Sequence, residues 1–213
     1  EQQYHGVVLC ALGWACWKTY VGRLEQDAAR GMAMTELGNG LHDAGRHEDA
    51  LSVGEAELAM ARRLGASEHD ILVLQTNLAC TYGRLGRLEQ ALRIERDVYR
   101  GRLKLNGEEN RATLLAATNY ASTLFERSLH SEAKPLMRKL IPVARRVLGD
   151  GDSLMLTMRK NYARALYLDA GATLDNLREA VTTLEETERT ARRVFGGAHP
   201  TTVGIGGALQ DAR

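Results

Sequence analysis

The sequence runs to 213 residues, with 28 Lys and Arg against 27 Asp and Glu and a formal net charge of +1. That balance gives no electrostatic case for a nucleic-acid binder, and 44% hydrophobic with 26% charged residues is too apolar for a disordered chain. With only three prolines, 5% aromatics and an excess of Leu and Ala, helices are favoured over a β-sandwich. The expected class is all-α.

The first thirty residues stand apart. Gly6 to Trp17 is uncharged but shorter than the roughly 20 residues a membrane-spanning helix needs, so no membrane insertion is expected. Glu1 opens the chain where a signal peptide would carry basic residues. The missing initiator Met and an ending inside a helix-like stretch read as a piece of a longer protein, with any targeting signals outside it. Val7, Cys10, Trp14, Trp17 and Val21 step by three and four and so share one apolar helical face. Val7, Trp14, Trp17 and Val21 are expected to cap the first hairpin or to dock a missing element. From Arg23 a second helix is expected to run into the next segment without a break. Cys10, Cys16 and Cys80 are too scattered for a disulfide framework, which points to the cytoplasm or another reducing compartment.

Beyond residue 31 the chain repeats itself. Asn77-Leu78-Ala79 returns as Asn119-Tyr120-Ala121 and Asn161-Tyr162-Ala163, at intervals of 42 residues. An earlier copy has Leu37-Gly38, and these four copies are followed by a turn and by an Ala opening a second helix: Ala50, Ala91, Ala133 and Ala180. Second helices end alike, in Ala61-Arg62-Arg63-Leu64-Gly65, Ala144-Arg145-Arg146-Val147-Leu148-Gly149 and Ala191-Arg192-Arg193-Val194-Phe195-Gly196. Cations there oppose the helix dipole, and glycine permits the left-handed terminating residue. Pro142 falls inside a second helix, where a local kink is expected. The reading is an N-terminal segment over 1–31, helix pairs over 32–68, 69–109, 110–151 and 152–197, and the first helix of a fifth pair over 198–213. Such pairs cannot bury their apolar faces alone and stack on one another.

These residues resemble tetratricopeptide repeats, and the period of about 42 in place of the usual 34 or so resembles the kinesin-light-chain type. Leu64-Gly65, Asn77-Leu78-Ala79 and Gly86-Arg87-Leu88-Glu89-Gln90-Ala91 carry the likeness. Phe195-Gly196-Gly197-Ala198-His199-Pro200 is similar to that family's Leu-Gly-x-x-His-Pro junction, although His-Pro occurs only there. The resemblance implies an α-α superhelix, a solenoid of stacked hairpins, that binds peptide or protein in a concave groove without catalysis. The heptad region through which light chains join the motor is absent, which speaks against kinesin heavy chain as the partner.

Three asparagines are the candidate contacts. Asn77, Asn119 and Asn161 lie on the helix stripe that the resemblance places in the groove. A carboxamide both donates and accepts hydrogen bonds, so repeated asparagines form a ladder for an extended backbone. The alternative is that each Asn braces a neighbouring helix. Arg84, Ser122, Glu126, Lys160, Arg164 and Tyr167 flank them and would set specificity. The six histidines show no metal-ligand spacing; His42 and His47 straddle a turn, and Asp150-Gly151-Asp152 reads as a polar connection and helix cap. No phosphate-binding loop or nucleophile motif is present, so neither enzyme activity, cofactor nor metal is expected. The function expected is a protein-interaction scaffold. The alternatives are a structural subunit docked through its outer helices or its N-terminal aromatic face, and the interaction region of a multidomain protein.

Overall fold

Each repeat opens its first helix on a polar residue that accepts a backbone N–H, and this fixes where the hairpins begin. In the computed structural model, which describes residues 2–213 and side chains from residue 6 onward, Ser67 accepts from Asp70 N, Asn110 from Ala112 N and Asp152 from Leu154 N. At the next equivalent place His199 accepts from Thr201 N through Nδ1 at 3.2 Å, with Pro200 as the first helical residue. The His-Pro pair is therefore a capping device, and the His199 ring stacks on Phe195 at 4.7 Å. Such caps satisfy donors that the first turn leaves unpaired.

Among the described residues there are ten helices and no strand: α1 (Gln2–Tyr20), α2 (Ala28–Asp43), α3 (His47–Arg63), α4 (Glu68–Arg84), α5 (Leu88–Asn106), α6 (Arg111–Glu126), α7 (His130–Leu148), α8 (Ser153–Tyr167), α9 (Leu174–Phe195) and α10 (Pro200–Ala212). α7 is continuous through Pro135 and Pro142. Most connecting turns carry one glycine at positive φ, such as Gly86 at 71°. After α6 that place is taken by Ser128 at φ 58°, in a region that costs a side chain roughly 1–2 kcal/mol.

The chain divides into two compact units, residues 1–101 and 102–213, with the division inside α5. In the first unit α1 packs on α2, α2 on α3 and α3 on α4. Leu51, Leu58 and Leu78 form a core joined by Tyr82 and by Ile94 of α5. In the second unit α6 to α10 pack in sequence, and the first helices of successive hairpins also touch, α6 on α8 and α8 on α10. Its core is dry: Leu114, Met137, Leu140, Leu156, Leu166 and Leu184 are all 0% exposed.

The N-terminal helix departs from the sequence reading in two ways. α1 stops at Tyr20, and α2 starts afresh at Ala28 behind the Asp27 cap. Arg23 closes that turn with an ion pair to Asp27 at 2.9 Å, so no helix runs on from Arg23. The expected apolar face is also divided. Cys10 and Trp17 pack with Leu37, Leu41 and Ala50, whereas Val7, Trp14 and Val21 are 59%, 38% and 44% exposed. The seam is set by glycines. A Cβ on Gly6 would stand 2.2 Å from Asp43 O, one on Gly13 2.8 Å from Leu37 Cα, and one on Gly40 2.5 Å from Leu9 O. Backbone meets backbone there, and this rotates the larger side chains Val7 and Trp14 outward.

The seam makes a mutational prediction of unusual sign. Replacing a mid-helix Gly by Ala ordinarily stabilises by about 0.5–1 kcal/mol. Gly40→Ala should instead destabilise by about 1–3 kcal/mol through overpacking. Gly83→Ala in α4, where nothing lies within 4 Å of the added Cβ, should show the ordinary gain. Paired thermal melts read both signs.

Candidate functional site

Two polar surfaces stand out, one in each unit, and the expected asparagine ladder is shared between them. Asn77 and Arg84 belong to the first; Asn119, Ser122, Glu126, Lys160, Asn161, Arg164 and Tyr167 belong to the second.

In the second unit the two ladder residues differ in how their amides are used. Asn161 is only 3% exposed, and its Nδ2 donates to Ser122 Oγ at 3.2 Å across α6 and α8. Ser122 in turn donates to Thr118 O at 3.0 Å. One Asn161 N–H is thus engaged between neighbouring helices. Asn119, one repeat earlier, is half-buried, and its carboxamide makes no hydrogen bond among the described residues. Ser122 is half-buried and Glu126 exposed. On α8, Lys160 and Arg164 are half-buried. Burial, then the neighbouring Arg164, hold the Lys160 ammonium below its ordinary pKa, and no carboxylate pairs with Lys160 among the described residues. The Arg164 guanidinium lies 5.4 Å from the centre of the Phe125 ring, a contact that orients the charge. Burial raises the Tyr167 hydroxyl, and Arg164 partly offsets that. This surface offers one free carboxamide and an unneutralised cation pair.

The first unit holds a second feature, which reading the sequence missed. Between α2, α3 and α4 lies a half-open cleft of about 100 Å³, walled by Thr35, Asn39, His42, Asn77 and Cys80, among others, with Glu57 in its lining. Glu57 is 8% exposed. The Thr35 hydroxyl hydrogen-bonds its Oε1, and no cation pairs with it among the described residues. Burial pushes the carboxyl above the usual carboxylate range, and the Thr35 hydrogen bond only partly opposes this. His42 does not neutralise it, because burial, His47 and Arg84 hold the imidazole below its ordinary pKa. The His42 and His47 rings meet edge to face at 5.0 Å.

Counting seven residues from each marker alanine shows how unusual Glu57 is. The equivalent places hold Val98, Leu140 and Thr187, which are 3%, 0% and 0% exposed. Three residues earlier Gly54 stands where the later repeats have Glu95, Met137 and Leu184, the last two 0% exposed. The cleft is the space left where this repeat omits core side chains, narrowed by Leu78, which would lie 3.2 Å from a Cβ on Gly54. Alignment of the repeats against one another is the signal that finds Glu57.

No group of three or more His, Cys, Asp or Glu is placed to hold a metal ion among the described residues. Asp152 caps α8 and pairs with Arg111 at 2.6 Å. Nor is any described helix long and apolar enough to cross a membrane.

Comparison with known proteins agrees with this architecture. Models of the tetratricopeptide repeat match residues 30–104 and 113–152, together just over half of the chain. Nearly identical TPR-like repeats from Podosopora anserina, described as kinesin light chain, superpose with a TM-score of 0.72 at 21% identity, over 86% of this chain and 84% of that one. BtubC (BKLC) from P. vanneervenii gives 0.68 at 14% identity, over 99% and 85%. A Rap protein complexed with Competence and Sporulation Factor gives 0.61 at 16%, over 99% and 58%. No curated protein matches the sequence at a significant level.

The buried carboxyl predicts a pH-dependent stability. A raised folded-state pKa means that ionising Glu57 opposes folding. The cost is absent below the unfolded value of about 4.3 and complete above the folded one. Glu57→Leu, which installs the residue found at Leu140, should therefore raise Tm near pH 7.5, at about 2–4 °C per kcal/mol recovered. Most of that gain should vanish at pH 4. Melts at the two pH values test the sign.

Proposed function

We propose that this chain, which belongs to the tetratricopeptide repeat family, is a non-enzymatic scaffold that holds an extended segment of a partner protein against the polar surface of α6 and α8. The observation that carries the reading is the unspent carboxamide of Asn119. It is half-buried, so it is ordered by its surroundings, yet it makes no hydrogen bond within the described chain. A peptide group would use both its donor and its acceptor whatever side chain follows. Lys160 and Arg164 supply a nearby positive field without a carboxylate partner for Lys160, which favours a segment carrying an acidic side chain. Asn161 takes the role of positioning Ser122, and Tyr167 and Glu126 border the segment. Asn77 and Arg84 present the corresponding polar stripe of the first unit. The solved Rap protein, of similar fold, is complexed with Competence and Sporulation Factor; such a fold accommodates a partner.

A second reading rests on α1. Val7, Val8 and Leu12 are 59%, 55% and 60% exposed, beside Trp14, and an apolar surface of that kind serves docking into a larger assembly.

Peptides selected from a random decapeptide display against the wild-type chain separate these readings. Asn119→Ala should weaken selected peptides by about 3–10-fold, the value of one hydrogen bond, with Tm nearly unchanged. Lys160→Ala should weaken most those carrying an acidic residue. Failure to select any peptide, or an affinity unchanged from wild type in Asn119→Ala, removes the groove reading. Assembly lost only in Val7→Ser/Trp14→Ser then favours the second.

A further inference from the structure

The Glu57 cleft has the features of a receptor for positive charge. Glu57 is 8% exposed, at a position where the equivalent residues in other repeats are Val98, Leu140 and Thr187. Thr35 hydrogen-bonds one oxygen; the other makes no hydrogen bond or ion pair among the described residues. Leaving a carboxylate uncompensated in an interior costs several kcal/mol, a cost that Leu140, fully buried at the equivalent place, does not carry. The charge is also not isolated from solvent. It lines a half-open cleft of about 100 Å³, on a measure where one water takes about 10–15 Å³. That space admits an ammonium or guanidinium head with its alkyl stem trailing outward.

The groups around the carboxyl supply acceptors and no competing cation. Asn39 and Asn77 are exposed at the walls from α2 and α4, and neither carboxamide is hydrogen-bonded among the described residues. His42 is held in its neutral form by burial, His47 and Arg84, with Asp43 opposing. Arg84 therefore bears on His42, and no cation shifts Glu57 itself. Cys80 completes the α4 wall. A neutral imidazole, two amide carbonyls and one carboxylate suit a donor-rich cation and repel an anion.

We propose that this cleft, by itself, is a binding site for a single Lys or Arg side chain of a protein segment, with Glu57 as its counter-ion and Asn39 and Asn77 as accepting walls. It rests on the groove reading for the identity of the ligand as a protein segment, but the subsite itself is testable without any peptide. Because burial disfavours the ionised carboxyl, cation binding below the folded-state pKa draws Glu57 into its charged form and releases a proton. Binding is strongest above the folded-state pKa of Glu57 and falls as pH is lowered through it.

The test is a set of NMR titrations of the whole chain with n-butylguanidinium and n-butylammonium chloride, n-butanol serving as the neutral control. Affinities on the order of millimolar are expected for ligands this small. Both cations should shift the backbone amides of Thr35, Asn39 and Asn77 saturably at pH 7.5, and the alcohol should not. Glu57→Gln, which keeps the shape, should lower cation affinity at least tenfold, and Glu57→Leu should abolish it while remaining folded. Calorimetry at a pH below the folded-state pKa of Glu57, in buffers of different ionisation enthalpy, should show proton release in the wild type only. For selected peptides whose binding Asn77→Ala weakens, an Arg-over-citrulline preference of about tenfold should disappear in Glu57→Gln. Unsaturable shifts, or equal cation affinity in wild type and Glu57→Gln, overturn the subsite. If the cation binds at Glu57 but no peptide binds the chain, the groove reading fails and the subsite stands for a free cationic ligand.

Discussion

Helices can lie side by side closely enough to exclude water only where the residues between them carry almost no side chain. The alanines opening the second helices meet that demand: Ala50, Ala91, Ala133 and Ala180 are 5%, 0%, 0% and 0% exposed. So do Ala79, Ala121 and Ala163 on the facing first helices, at 1%, 0% and 0%. Close approach brings the flanking Leu and Met residues into mutual contact, and each buried side chain contributes roughly 1.5–3 kcal/mol. The same demand is met more severely between α1 and α2, where glycines replace the alanines. From this packing follow the core, the exposed stripes and the cleft, because each side chain's exposure is fixed by where the small residues force the axes to sit.

How much of this is legible in the sequence follows from the same rule. The marker alanines, the turn glycines and the 42-residue interval are local and periodic, so the hairpins and their all-α class can be read directly. The orientation of α1 cannot be read that way. A stripe of Val7, Cys10, Trp14, Trp17 and Val21 looks like a packing face, but the glycines decide the seam by steric necessity, not by hydrophobicity. The asparagines carry a different lesson. Asn77, Asn119 and Asn161 hold equivalent positions yet are exposed, half-buried and buried, because the helices beside them differ. Only Asn161 finds Ser122 within reach. Glu57 was invisible in a chain where charged residues usually mark a solvated face; only its alignment with Val98 and Leu140 exposes it.

The two units spend their polar residues differently. In the second, most buried polar side chains are consumed internally: Arg159, 7% exposed, pairs with Glu186 at 2.6 Å, and Tyr162 donates to Glu179 at 2.6 Å. Against that background an unsatisfied Asn119 and an unpaired Lys160 stand out. In the first unit Thr35 and Glu57 are satisfied only by each other and by Gly31 O. A scaffold tolerates such unmet capacity because its stability resides in nearest-neighbour packing, which continues on either side of the anomaly.

The ion pairs that tie one hairpin to the next have a consequence for how the chain reaches its native state. Arg63 to Glu25, Arg87 to Glu48, Arg111 to Asp152 and Arg146 to Glu109 span 38, 39, 41 and 37 residues. Every one is about a single repeat in length, so partners that must meet are never far apart along the chain. Loop closure of that size costs little entropy and grows only logarithmically with length. Low contact order of this kind goes with rapid folding, and any hairpin is free to nucleate the growth of its neighbours, including during synthesis on the ribosome.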